Sequence, residues 1–140
     1  MKLHIRVFSL LAAIALAVFS FSSHAETLTG VQAQKSAPAN AFLDYEKALL
    51  AGGLDAARPY MTPEKVDDLN SMVKNWGEDG FKQFLDRMRS GAQGEARRKQ
   101  IEKVEIKGDY AVLEARDSPN AITVQYFART KDGWKVSVKR

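Results

Sequence analysis

The chain has 140 residues with 21 Lys and Arg, 17 Asp and Glu, two His, no Cys and a formal charge of +4. One domain of ordinary composition is expected at this length. The absence of cysteine excludes disulfides, thiol nucleophiles and Cys-ligated metals.

The chain opens as a secretory signal. "MKLHIR" supplies Lys2 and Arg6, and Val7 to Phe21 is an uncharged, largely apolar run. Ser23 and Ala25 are the small residues before a cut after Ala25. The run is short of the roughly 20 apolar residues that span a bilayer, so cleavage is expected and no stable membrane anchor remains. The expected location is periplasmic or secreted by the general secretory route. Removing Lys2 and Arg6 leaves 19 basic and 17 acidic residues, a balance of +2. That interspersed charge is no footprint for nucleic acid. His4 and His24 leave with the signal. The remainder has neither imidazole nor thiol, which excludes Ser-His-Asp and Cys-His catalysis and His- or Cys-built zinc and copper sites.

Residues 26–37, "ETLTGVQAQKSA", show no sustained period and are expected to be a flexible lead. A single domain is expected over 38–140. Pro38 suits the first turn of a helix, and Phe42, Tyr45 and Leu49 repeat on one helical face. Gly52-Gly53 ends that helix. Asp55 is the expected cap of a short second one, "AARPYM", limited by Pro59. Thr62-Pro63-Glu64 begins a third helix as cap, first residue and dipole partner, with Val66, Leu69, Val73 and Trp76 as its stripe. "GEDG" breaks the run before Phe81, Phe84, Leu85 and Met88.

From Arg97 the period falls to two. "KQIEKVEIK" and "YAVLEAR" flank Gly108-Asp109, a hairpin signal. "SPN" is a turn, and "AITVQYFART" and "WKVSVK" flank Asp132-Gly133. Ile122, Val124 and Tyr126 share one face of their strand; Thr123, Gln125 and Phe127 share the other. Helices followed by hairpins predict an α+β fold, with helices on one face of an antiparallel sheet of about four strands.

The order of "AFLDYEKALLAGGLDAARPYMTPE", "YAVLEARDS" and "ITVQYFARTKDGWKVS" resembles the nuclear transport factor 2-like superfamily, also called cystatin-like or ketosteroid-isomerase-like. The resemblance implies N-terminal helices lying in the concavity of a curved sheet around a cone-shaped cavity. It is closest to small secreted or periplasmic members of unknown function. It also implies that homodimers form through the sheet's outer face, and the alternation places Phe127 and Trp134 as candidates for that contact. Enzymes of the superfamily use Tyr/Asp or His/Asp in the cone. Without a histidine or a matching polar pair, no catalytic residue is carried over.

Candidate pocket residues are Tyr45, Tyr60, Trp76, Phe84, Met88 and Tyr126, which suit either a ligand cavity or plain core. Asp44, Glu46, Asp109 and Glu114 read as solvated carboxylates, with Asp44 and Glu46 directed away from Tyr45's face. Arg97, Arg98 and Lys99 read as a solvated basic loop. No phosphate loop, metal spacing or cofactor motif is present. The leading reading is an exported, non-catalytic binding or structural module for a small apolar ligand or an envelope protein. The alternatives are a Tyr/carboxylate isomerase or cyclase and an envelope-assembly component.

Overall fold

The computed structural model describes residues 24–140. The expected signal segment therefore lies outside the described residues, except for His24 and Ala25. The elements are β1 (Glu26–Thr29), α1 (Gly30–Gln34), α2 (Ala37–Ala57), a 3-10 turn (Arg58–Tyr60), α3 (Pro63–Ser90), α4 (Gly94–Lys99), β2 (Ile101–Lys107), β3 (Tyr110–Ser118), β4 (Ala121–Thr130) and β5 (Gly133–Ser137). They form an α+β fold. The sheet is antiparallel, curved and unclosed, in the order β1-β2-β3-β4-β5.

The meander β2 to β5 follows the expected hairpins. The fifth strand corrects the expectation of a flexible lead over 26–37. β1 pairs with β2, placing Leu28 opposite Val104. α1 then buries Ala33, and Arg98 donates to the Gln34 carbonyl at 2.6 Å. Four residues with a single apolar side chain are too few to show a period in sequence. Their strand is specified by pairing with β2.

Register divides the sheet into two faces. Val104 lies opposite Leu113, Ala115 opposite Thr123, and Ala111 opposite Phe127, which in turn faces Val136. These side chains point toward the helices. Val104, Leu113, Ala115, Phe127 and Val136 are buried there with Phe42, Tyr45 and Leu49 of α2. The other face carries the Lys103–Glu114 ion pair at 3.1 Å, and Ile122 and Val124, each 46% exposed. Phe127, at 1% exposure, is therefore core and not an outer-face contact. Trp134 is half-buried, with the Arg129 guanidinium 4.6 Å from its ring centre. The exposed apolar side chains of the outer face include Ile122 and Val124.

Caps fix the helix starts. Ser36 Oγ accepts from the Ala39 amide at 3.3 Å, and Thr62 Oγ1 from the Lys65 amide at 3.3 Å. Each such cap is worth about 1 kcal/mol. The Thr62 amide also donates to the Val136 carbonyl at 2.9 Å, tying the start of α3 to β5. Two glycines bend the long helices. Gly53 (φ 69°, ψ −155°) kinks α2, and Gly77 (φ 73°, ψ 171°) divides α3. That region of backbone space is open essentially to glycine alone. The expected Asp55 cap is not one. Asp55 lies within α2 beyond the kink and pairs with Arg58 at 3.4 Å. The second segment of α3 lies alongside α2, where Arg89 donates to the Leu50 carbonyl at 2.9 Å. Leu50 is within three residues of the kink, where a helix leaves carbonyls without amide partners.

Candidate functional site

An open groove of about 1010 Å³ lies among α2, both segments of α3, α4 and the far end of the β3–β4 hairpin. Leu43, Leu50, Leu69, Met72, Phe84 and Met88 contribute its apolar wall. The break at Gly77 starts a separate segment that brings Phe84 and Met88 to the wall.

The floor is polar and mutually engaged. Arg97 grips Glu46 with two hydrogen bonds, Nε to Oε1 at 2.8 Å and Nη2 to Oε2 at 3.2 Å. Its Nη1 donates to Gln100 Oε1 at 2.8 Å and to Asp117 Oδ1 at 2.5 Å. Asp117 Oδ2 accepts from Thr123 Oγ1 at 2.6 Å. The guanidinium also lies 5.1 Å from the Phe42 ring centre. This chain of contacts joins α2, α4, β3 and β4 at one end of the groove. Paired, planar charge of this kind is what a guanidinium fork does best.

These contacts correct two expectations. Arg97 is 8% exposed and is no solvated loop residue. Glu46 is partly buried and lines the groove beside Tyr45. Neighbouring helical residues differ by about 100° in direction, and the groove is wide enough to take both. Asp44 and Asp109 are exposed as expected. Glu114, on the outer face, is held by Lys103.

Burial pushes the Glu46 carboxyl above the ordinary carboxylate range. Its two hydrogen bonds and the charge of Arg97 pull it back, and Asp117 adds a smaller upward push. Burial alone would lower the Arg97 guanidinium, but its two carboxylates outweigh that and raise it. Burial also pushes the Tyr45 phenol far above its ordinary value, with further upward pushes from Glu46 and Asp68. Tyr45 is thus a neutral hydrogen-bond donor at all physiological pH. Both Glu46 oxygens are engaged by Arg97, which leaves neither turned to a substrate in the groove.

The raised Tyr45 value has a testable consequence. The fold prefers the neutral phenol, so unfolding releases a proton once pH exceeds the free tyrosine value of about 10. Stability is therefore intact below that pH and falls as pH rises through the folded-state value. Tyr45→Phe should lose this alkaline dependence. Denaturant midpoints of the two proteins, compared between neutral pH and the alkaline range, check it. Parallel midpoint curves would show that Tyr45 is not the group responsible.

Of the sequence candidates, the structure brings Tyr45, Phe84 and Met88 together in the groove. The other three lie elsewhere. Trp76 packs on Phe84 with ring centres 5.8 Å apart but is 46% exposed. Tyr60 is 39% exposed on the 3-10 turn. Tyr126 stands opposite Val112, whose alternation places it on the outer face. Sequence reasoning misread Arg97 as solvated and assigned no site role to Asp117, Thr123 or Gln125. The available signal was in β4, where the more polar alternate set, Thr123 and Gln125, shares its face with Phe127. Among the described residues no group of three or more His, Cys, Asp or Glu could hold a metal, and no helix is long and apolar enough to cross a membrane. No family model, curated protein or solved structure matches this chain.

Proposed function

We propose that this chain is an exported, non-catalytic binding module whose groove holds a small, mainly apolar ligand. The observation that carries the reading is the groove itself. It is open, about 1010 Å³ in volume, and its apolar wall ends on a floor whose charges are spent on one another. Ligand sites pair a concave apolar lining with a few placed polar groups, in volumes of about 300–1,000 Å³. A module that only filled this space with core side chains would leave no such groove.

Helices set inside a curved, open sheet support the resemblance to the nuclear transport factor 2-like group. The first strand begins at Glu26, the residue after the expected cut, which supports export followed by folding of the remainder. An isomerase- or cyclase-type reaction would need Glu46 released from Arg97 to act on a substrate beside Tyr45. The bidentate pair at 2.8 and 3.2 Å argues against it.

Native mass spectrometry of the protein purified from its own envelope tests the reading. The expected result is a co-purifying small molecule that is lost from Met88→Trp, a substitution that fills the groove. A protein partner in place of a small molecule, retained by Met88→Trp, would replace this reading with that of an assembly component.

A further inference from the structure

The inner face of the sheet is apolar along Leu28, Val104, Leu113, Phe127 and Val136, but its pattern inverts at the groove. There β4 turns Ile122 and Val124 outward, each 46% exposed, and turns Thr123 and Gln125 inward. A strand that places valine in water and a carboxamide toward the core breaks the binary pattern that specifies the sheet. Such local violations concentrate where function requires them. Gln125 stands directly opposite Leu113 and lines the groove. Among the described residues its side chain makes one hydrogen bond, a long donation of 3.4 Å to the Tyr126 carbonyl. Thr123, by contrast, is engaged by Asp117. The Gln125 carboxamide thus keeps donor and acceptor capacity directed at the groove.

The charged groups at this end set what that capacity can select. Arg97 engages both oxygens of Glu46 and one of Asp117, and the remaining Asp117 oxygen takes the Thr123 hydroxyl. One guanidinium against two carboxylates leaves a net charge of −1. An anionic head group beside Gln125 would meet that charge, because the other basic residues of the groove, Lys47, Lys65, Arg87, Arg89 and Arg98, belong to the helices, with Lys47, Arg87 and Arg89 exposed to water. A bare cation would meet carboxylate oxygens already filled. An uncharged head that both donates and accepts matches a free carboxamide without leaving a buried charge unpaired.

Resting on the groove being the ligand site, we propose that Gln125 is its specificity-determining residue and selects an uncharged amphiphile. The ligand's hydroxyl or amide head would meet the Gln125 carboxamide, and its apolar body would lie along Leu50, Met72, Phe84 and Met88.

The test uses the whole folded protein, the neutral fluorophore N-phenyl-1-naphthylamine as reporter, and three displacers with one chain length: 1-decanol, decanoate and decyltrimethylammonium. Fluorophore enhancement that Met88→Trp abolishes establishes the groove as the apolar site. 1-Decanol should then displace it about tenfold more effectively than either charged chain. Gln125→Leu, whose side chain suits the apolar face and should fold, should bring the three displacers to within about twofold while the fluorophore still binds. Decanoate or the cation displacing as well as decanol, or an unchanged preference in Gln125→Leu, would overturn the assignment of Gln125 and leave the groove reading standing. No fluorophore enhancement at all would overturn both. Thermal unfolding of Gln125→Leu guards against a folding artefact.

Discussion

Replacing Arg97 by Met should destabilise the protein by about 3 kcal/mol at neutral pH, because it strands the Glu46 carboxylate among apolar neighbours. The wild-type pair is bidentate and partly shielded from water, and Asp117 shares the same guanidinium. Removing one partner of such a cluster costs far more than removing both. Arg97→Met combined with Glu46→Leu should therefore recover most of the loss, since an apolar pair of similar volume is often neutral or better. The pH dependence gives a second check. Burial already pushes Glu46 upward, and without Arg97 that push is unopposed. A carboxyl whose folded-state value is raised weakens the fold as pH climbs through that value. The penalty in Arg97→Met should be largest at neutral pH and shrink on acidification as Glu46 takes up a proton. Urea titrations of the single and double variants measure all of this. A loss that stays constant with pH, or is not recovered by Glu46→Leu, would place the cost elsewhere than in the stranded carboxylate.

The second large effect is expected at Phe127. It is 1% exposed, lies between Ala111 and Val136 in the sheet and faces the helices. Phe127→Ala should cost about 3–5 kcal/mol through lost burial and the cavity left behind. Val124→Ala, three residues away on the opposite face of β4, should cost under about 1 kcal/mol. The contrast separates the two faces of β4 by calorimetry alone. Equal losses at the two positions would mean that the face containing Val124 is covered in solution. A mass in solution twice that of one chain would then identify a second copy as the cover, through Ile122 and Val124.

Much of the architecture is legible in the sequence because it is written locally. Pro38 and Thr62-Pro63 mark the starts of α2 and α3, and Gly108-Asp109 and Asp132-Gly133 mark two hairpins. β1 is not written this way: a four-residue strand exists because Leu28 meets Val104 across the sheet. The faces of β4 were distinguishable by alternation, but not which face lay inside. Ile122, Val124 and Tyr126 are the more apolar set, so hydropathy alone favours the wrong one. The site was least legible. Arg97 reaches Glu46 across 51 positions and Asp117 across 20, and no period or spacing encodes a contact between a helix, a short connector and a strand end. What sequence did mark was the apolar half of the groove, through Tyr45, Phe84 and Met88.

The place of β1 in the sheet also bears on how the chain assembles. β2 to β5 are joined by tight turns, so their pairings close short loops. β1 instead pairs Leu28 with Val104, with every helix of the fold lying between them in sequence. Closing that long loop carries the larger entropy cost and slows any step that depends on it. The hairpins can form before the first strand docks. Residues Glu26–Thr29 therefore have no strand to pair with until the C-terminal meander has formed to receive them.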